Sequence, residues 1–160
     1  MTNQGNSAAS RDIANYLHPY TNLRAHEKSG PLVITRGEGV RVFDDSGNGY
    51  IEGMAGLWCT SLGFGEERLV EAAVAQMRKL PFYHGFGGKV PDIGIELAER
   101  LINLAPCPMS KVFFANSGSE AIDTAIKLTR YFNNAKGRPE KKKLISRTKA
   151  YHGVTLAAAS

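Results

Sequence analysis

Three small polar residues, Ser117, Gly118 and Ser119, have the composition of a phosphate-binding turn. They follow an apolar run at residues 112–115, which predicts a buried strand, and they precede an amphipathic helical pattern. A turn from a strand into a helix leaves backbone N–H groups unpaired, and the positive end of the helix dipole also attracts anions. The spacing therefore predicts an anion site that suits a phosphate group.

The same residues also fit a helix cap that needs no ligand. Ser117 and Glu120 have the Ser-x-x-Glu spacing of a capping box, which is commoner than an anion site. A second motif favours the ligand, because residues 144–146 predict another short strand and Tyr151 follows it. Ligands of open α/β sheets collect beyond the carboxyl ends of the strands. We therefore expect the turn and Tyr151 on one side of a right-handed βαβ unit.

The elements before this unit are a small sheet and two helices. Apolar residues alternate with polar ones from Leu32 to Val42, a turn follows at residues 44–49, and an extended segment follows the turn. This pattern predicts an antiparallel meander. Helical periodicity then covers residues 66–80 and the stretch from Pro91 to residue 104. The order predicts an α/β chain whose sheet is only begun.

Composition narrows the possible functions. The 160 residues are 42% hydrophobic, which is enough for a core, and no apolar run has the length needed to cross a membrane. The net charge is +5, but the one dense basic cluster, at residues 141–143, has no interleaved aromatic residues, so no nucleic-acid partner is expected. Cys59 and Cys107 lack metal-ligand spacing, which favours free thiols in the cytoplasm and no metal site.

Two common enzyme motifs are absent, and the chain has no clear end. Gly85 to Lys89 is rich in glycine but lacks the Walker spacing, and Ser119 lacks the flanking glycines of a nucleophile elbow. These differences argue against a nucleotide-binding module and against a hydrolase. Residues 155–160 look like the start of a helix without a stop signal, so we expect the polypeptide to continue.

Several motifs, in order, resemble the class III aminotransferases, which are pyridoxal 5'-phosphate enzymes of fold type I. They are Asn116 to Ala121, Gly137 to Lys142 and Tyr151 to Gly153. Leu57-Trp58 and Leu80 to Tyr83 are similar to the omega-transaminase subgroup, which moves an amino group from an amine or omega-amino acid to pyruvate. The resemblance implies a large domain with a mostly parallel sheet and flanking helices, begun at residues 61–160. Residues 1–60 would belong to a small α+β domain.

The resemblance also implies a role for individual residues. Ser117, Gly118 and Ser119 match the turn that holds the cofactor phosphate, and Tyr151 matches the residue that stacks on the pyridine ring. The residues that match the lining of the substrate pocket are Tyr20, Leu57 and Trp58. Phe86 matches a residue that reaches into the active site of the other subunit of a homodimer. The Schiff-base lysine and the acid that pairs with the ring nitrogen are expected after residue 160, so this stretch holds no catalytic residue.

Two alternatives stay open within the same architecture. One is another class III activity, either an aminotransferase that uses 2-oxoglutarate or an aminomutase. The other is a non-catalytic relative that keeps the dimer surface. For the omega-transaminase that the resemblance implies, the acceptor is a 2-oxo acid and is expected to be pyruvate.

Overall fold

The computed structural model describes residues 5–159. They form two compact units, and the chain passes from the first to the second between Tyr83 and His84. The first unit contains four helical segments and three strands: α1 (Ala8–Asn15), α2 (Leu23–Ser29), β1 (Ile34–Glu38), β2 (Arg41–Asp44), β3 (Gly49–Ile51), α3 (Ala55–Trp58) and α4 (Glu67–Lys79). The second contains a 3-10 turn and two helices: Phe86–Gly88, α5 (Asp92–Leu104) and α6 (Gly118–Ala135). The predicted division near residue 60 stays a prediction.

The antiparallel meander is confirmed. Strands β1, β2 and β3 pair in that order, and both pairs are antiparallel. Its β2–β3 turn is organised by Asp44, which is 7% exposed. The Asp44 carboxylate accepts hydrogen bonds from the backbone N–H groups of Ser46 and Asn48, at 3.0 and 2.8 Å, and from the Tyr50 hydroxyl at 2.8 Å. One buried carboxylate therefore satisfies the donors of a turn rich in glycine and polar residues.

A second carboxylate connects α1 and α2. His18 Nε2 lies 2.8 Å from Asp12 Oδ1, and His26 Nε2 lies 2.7 Å from Asp12 Oδ2. Partial burial of Asp12 disfavours its ionised form, but the hydrogen bonds from the two imidazoles outweigh burial and hold the pKa of Asp12 below its ordinary 3.8. Zinc ligands bound at about 2.0–2.2 Å lie farther apart than these atoms do. Hydrogen bonding therefore accounts for the cluster.

The helices of the second unit agree with prediction, but the two strands do not. Within residues 5–159 the only sheet is β1–β2–β3, so the strands predicted at residues 112–115 and 144–146 are wrong as paired elements. An extended segment becomes a strand only when a neighbour satisfies its N–H and C=O groups. Phe113 is 70% exposed and Ile145 is 98% exposed, and no described backbone hydrogen bond pairs either segment with a neighbouring strand.

Little of the apolar surface is buried. Among the described residues, Ala158 is the one hydrophobic residue in the buried class. Helix α6 instead presents Ile122 and Ile126 to a cavity of about 270 Å³ that Leu144 and Ile145 also line. In the described part of the chain, no helix is both long and apolar enough to span a membrane.

Candidate active site

The N-terminus of α6 is capped as the Ser-x-x-Glu spacing predicts. Ser117 has extended backbone angles, and its hydroxyl oxygen accepts a hydrogen bond from the N–H of Glu120 at 3.1 Å. The Glu120 carboxylate accepts in turn from the N–H of Asn116 at 2.9 Å. Ser117 therefore caps α6, while Glu120 binds the N–H of Asn116, one residue before the N-cap N–H that a strict capping box uses. Neither bond uses the N–H groups of Gly118 and Ser119.

The N–H groups of Gly118 and Ser119 are left without a partner. No hydrogen bond among the described residues uses them, because they lie in the first turn of α6 and have no carbonyl group one turn earlier. A Cβ atom built on Gly118 would meet nothing within 4 Å, so the space beside Gly118 is open. Two free N–H groups at the positive end of an 18-residue helix fit the phosphate group of a cofactor.

Ser119 joins this turn to the segment that follows Tyr151. It is 8% exposed, and its Oγ accepts a hydrogen bond from the N–H of Val154 at 2.9 Å. A hydroxyl that accepts in this way keeps its own hydrogen for another acceptor. Gly153 permits the close approach, since a Cβ there would lie 3.0 Å from Ser119 Cα at a backbone φ of +141°.

A second contact holds the same segment against α6. The Thr155 hydroxyl donates to Asp123 Oδ1 at 2.8 Å, one turn along the helix from Ser119. The sequence did not predict this pair, because the two residues lie 32 positions apart and neither belongs to a recognisable motif. With the bond from Val154, it anchors the segment at two points.

Tyr151 and His152 differ in their surroundings. Tyr151 is 71% exposed, so its ring is not part of the core. His152 lines the same cavity as Ile122 and Ile126. The structure thus brings Ser119 together with the segment after Tyr151 and leaves the tyrosine ring open.

Leu57 and Trp58 lie on an unusual turn in the first unit. Four successive residues, Ala55 to Trp58, have positive φ angles between 48° and 68°, so α3 is a left-handed turn. Only Gly56 adopts this conformation without a penalty, and each other residue costs about 1–2 kcal/mol. The turn leaves Leu57 61% exposed and Trp58 79% exposed. Backbone strain of this kind is concentrated at functional sites.

The two remaining predicted pocket residues stand apart. Tyr20 is 91% exposed, also has a positive φ of 50°, and makes no described contact with Leu57 or Trp58. Phe86 opens the 3-10 turn of the second unit and is 81% exposed. Its ring is stacked on that of His84, with centroids 6.0 Å apart.

The helix terminus with two unpaired N–H groups, followed one segment later by an exposed tyrosine, is an arrangement that fits a site for a phosphorylated ligand. The model of the family "Aminotransferase class-III" matches residues 23–160. The chain therefore belongs to the class III aminotransferases, which are pyridoxal-phosphate-dependent transferases of fold type I.

Solved and curated relatives agree with this family. The omega transaminase of Pseudomonas jessenii in complex with PMP is 59% identical, with a TM-score of 0.94, over 96% of this chain and 34% of that one. Two engineered thermostable omega transaminases, W58G and one that carries W58M and F86L with a further change, are 59% and 58% identical with TM-scores of 0.93 over the same shares. The probable gamma-aminobutyrate transaminase 2, mitochondrial, of Oryza sativa subsp. indica is 54% identical over 81% of this chain and 26% of its own length. The chain thus spans about a quarter to a third of the relatives it matches.

Proposed function

We propose that this chain is part of an omega-transaminase, which moves an amino group from an amine or omega-amino acid to pyruvate. The observation that carries the proposal is the pair of free N–H groups at Gly118 and Ser119, beside a segment that presents Tyr151. Family membership identifies the ligand that these donors would bind as pyridoxal phosphate. When bound, the cofactor supplies an electron-withdrawing ring that carries the amino group between donor and acceptor.

Three residues would hold the phosphate and one would cover the ring. Gly118 and Ser119 would donate their backbone N–H groups, and the Ser119 hydroxyl would donate the hydrogen that its bond from Val154 leaves free. Ser117 would support them by fixing the first turn of α6. Tyr151 would lie against the pyridine ring and exclude water from that face. The lysine that moves the proton is expected after residue 160.

The phosphate assignment is tested by Gly118→Ala in the holoenzyme. The added methyl group meets no protein atom, so the melting temperature of the cofactor-free protein should not change. In the proposed site, however, the methyl group would compete with the phosphate for the open space beside Gly118, so the affinity for pyridoxal phosphate should fall at least about tenfold, as expected for loss of a hydrogen bond to a charged group. Unchanged affinity, measured by absorbance titration, would contradict the phosphate site.

The donor pocket is the second part of the proposal. Exposed Leu57 and Trp58 on a strained turn would form an apolar wall that selects the amine. The W58G relative was engineered for asymmetric synthesis of enantiopure bulky amines, and its changed tryptophan carries the same number as Trp58. Trp58→Gly should therefore increase kcat/KM for bulky amines over small ones and leave cofactor affinity unchanged. An unaltered order across a panel of amines would remove Trp58 from the pocket.

The acceptor is tested by direct comparison. We expect pyruvate to be preferred to 2-oxoglutarate, in line with the omega transaminases among the solved relatives. A preference for 2-oxoglutarate would favour the alternative class III aminotransferase, and an isomerised product without an acceptor would indicate an aminomutase. No spectral response of the holoenzyme to any amine would favour the non-catalytic relative.

The proposed assembly is a cytoplasmic homodimer. Phe86, 81% exposed on a short turn, is the residue we expect to reach the partner subunit's pocket. Cys59 and Cys107 are free and exposed, which fits a reducing compartment, although the rice relative is named as mitochondrial. Light scattering should give the mass of two chains, and a monomer that is fully active would contradict the shared site.

A further inference from the structure

The side chain of Glu52 accepts two hydrogen bonds from the backbone of the left-handed turn α3, and the Cys59 thiol donates a third bond to the carbonyl of Leu57 at 3.5 Å. The Glu52 carboxylate accepts a hydrogen bond from the N–H of Met54 through Oε1, at 3.1 Å, and another from the N–H of Gly56 through Oε2, at 2.7 Å. These two donors belong to the residues that begin the turn. A glutamate that follows a strand is usually a solvated surface residue, whereas this one is half-buried and uses both oxygens.

The backbone of Glu52 is itself attached to the meander. Its N–H donates to the carbonyl of Val40 at 2.9 Å, just beyond the end of β3. The sheet therefore fixes the position of Glu52. The hydrogen bonds to the carboxylate of Glu52 in turn fix the position of α3. The charge suits the role, since hydrogen bonds to a carboxylate are stronger than those to a neutral acceptor.

The other end of the turn is attached to the same sheet. Gly39 and Phe64 exchange two backbone hydrogen bonds, of 2.9 and 2.8 Å, a few residues after Trp58. Inside the turn, the N–H of Trp58 donates to the carbonyl of Met54 at 2.8 Å. Leu57 and Trp58 thus lie on a short loop that is held at both ends. Among the described side chains, Glu52 is the only one that accepts hydrogen bonds from the backbone N–H groups of this loop.

We propose that Glu52 is a positioning residue: its carboxylate holds the left-handed turn and thereby sets where Leu57 and Trp58 stand in the substrate pocket. The structural part needs only the contacts above, and the part about substrates rests on the proposed function. Glu52 does not touch the substrate. Its loss should alter which amines are accepted, through KM, rather than the chemical step.

The test uses the holoenzyme with three variants. Glu52→Ala removes both acceptors, Glu52→Gln keeps one neutral acceptor, and Glu71→Ala is the control, because Glu71 is an exposed glutamate of α4 for which no hydrogen bond is described. Hydrogen exchange measured by mass spectrometry follows the peptide that covers residues 53–60. Exchange there should be about tenfold or more faster in Glu52→Ala, intermediate in Glu52→Gln, and unchanged in the control.

Kinetics then test the second part of the proposal. Across small and bulky amines, Glu52→Ala should change the ratio of KM values at least about threefold and leave kcat for the best amine within about twofold. Hydrogen exchange at residues 53–60 that equals the wild-type rate in both Glu52 variants would show that the Glu52 carboxylate does not hold the turn, whatever the enzyme's activity. Faster exchange with an unaltered amine preference would overturn the link to the pocket. A wild type that transaminates no amine would instead refute the proposed function, and the exchange result would still stand.

Discussion

Ser119 shows how one hydroxyl group contributes to both the fold and the proposed site. It accepts a hydrogen bond from the N–H of Val154 in the protein and keeps its hydrogen for a ligand. Asp44 and Asp12 act differently, because each carboxylate accepts hydrogen bonds from more than one residue of the first unit. These buried and half-buried polar groups are satisfied, so each connects segments that few apolar contacts hold together.

Asp44 should make the first unit sensitive to acid. Hydrogen bonds from Asn48 and Tyr50 favour the ionised form and, despite partial burial, hold the pKa of Asp44 below its ordinary 3.8. A lowered folded-state pKa stabilises the fold at pH values above 3.8, and this stabilisation is lost as the pH falls through the folded-state value. Thermal unfolding between pH 3 and 7 should therefore show a decline at the acid end that is smaller in Asp44→Asn.

A matched control is available for this measurement. Asp45 is exposed and has no described side-chain hydrogen bond, so Asp45→Asn should keep the wild-type pH profile. Identical profiles for Asp44→Asn and the wild type would show that this carboxylate is not the source of the acid sensitivity.

At the scale of elements, α6 depends on the segment that is docked on it. Gly153 lies so close to Ser119 that a Cβ would be 3.0 Å from its Cα and 2.7 Å from the Cβ of Ala158. The helix N-terminus and the segment after Tyr151 are therefore one structural feature rather than two adjacent motifs. The unpaired N–H groups of Gly118 and Ser119 belong to this feature.

A series of three glycine substitutions separates contact from backbone strain. Gly153→Ala combines a positive φ with the close contacts, so a loss of about 1–3 kcal/mol from overpacking should add to the backbone strain and lower the free energy of unfolding more than Gly137→Ala does. Gly137→Ala has a φ of +67° and open space, so only about 1–2 kcal/mol from backbone strain is expected. Gly118→Ala involves neither a positive φ nor a close contact, so it should leave the free energy of unfolding unchanged. Denaturant unfolding of the three variants checks this order, and equal effects at Gly153 and Gly137 would show that the contact does not matter.

At the scale of the whole molecule, the exposed apolar surface is the main feature. Phe113, Phe114, Ile145 and Leu156 are 51–98% exposed, although monomeric proteins rarely expose large contiguous apolar patches. The segments beside α6 also have backbone groups without a described strand partner. The chain spans 34% of the solved omega transaminase it matches.

Residues 1–160 produced alone should therefore bind a hydrophobic dye and self-associate. The physical reason is that unpaired backbone and apolar side chains remain open at the segments beside α6. Ile145→Asp should reduce both the dye fluorescence and the sedimenting mass, whereas Lys142→Asp, at a polar exposed position nearby, should do so much less. A monomer that binds no dye would contradict this account.

Much of the local structure followed from the sequence. Period-2 alternation around a turn predicted the meander, and apolar residues on one face predicted α4, α5 and α6. The Ser-x-x-Glu spacing predicted the cap of α6 together with the possibility of a phosphate. These features depend on residues close together in the chain, so spacing is sufficient to identify them.

Other features required the tertiary structure. The bond from Val154 to Ser119, the pair of Thr155 and Asp123, and the histidine pair on Asp12 join residues 6 to 35 positions apart, and no local pattern encodes such distances. The left-handed turn at Leu57 and Trp58 was also missed, because only one of its four residues is a glycine. The strands at residues 112–115 and 144–146 were predicted from composition alone, and these residues form no ladder of hydrogen bonds with another strand. A strand is completed by its neighbours, and those neighbours must come from elsewhere in the fold.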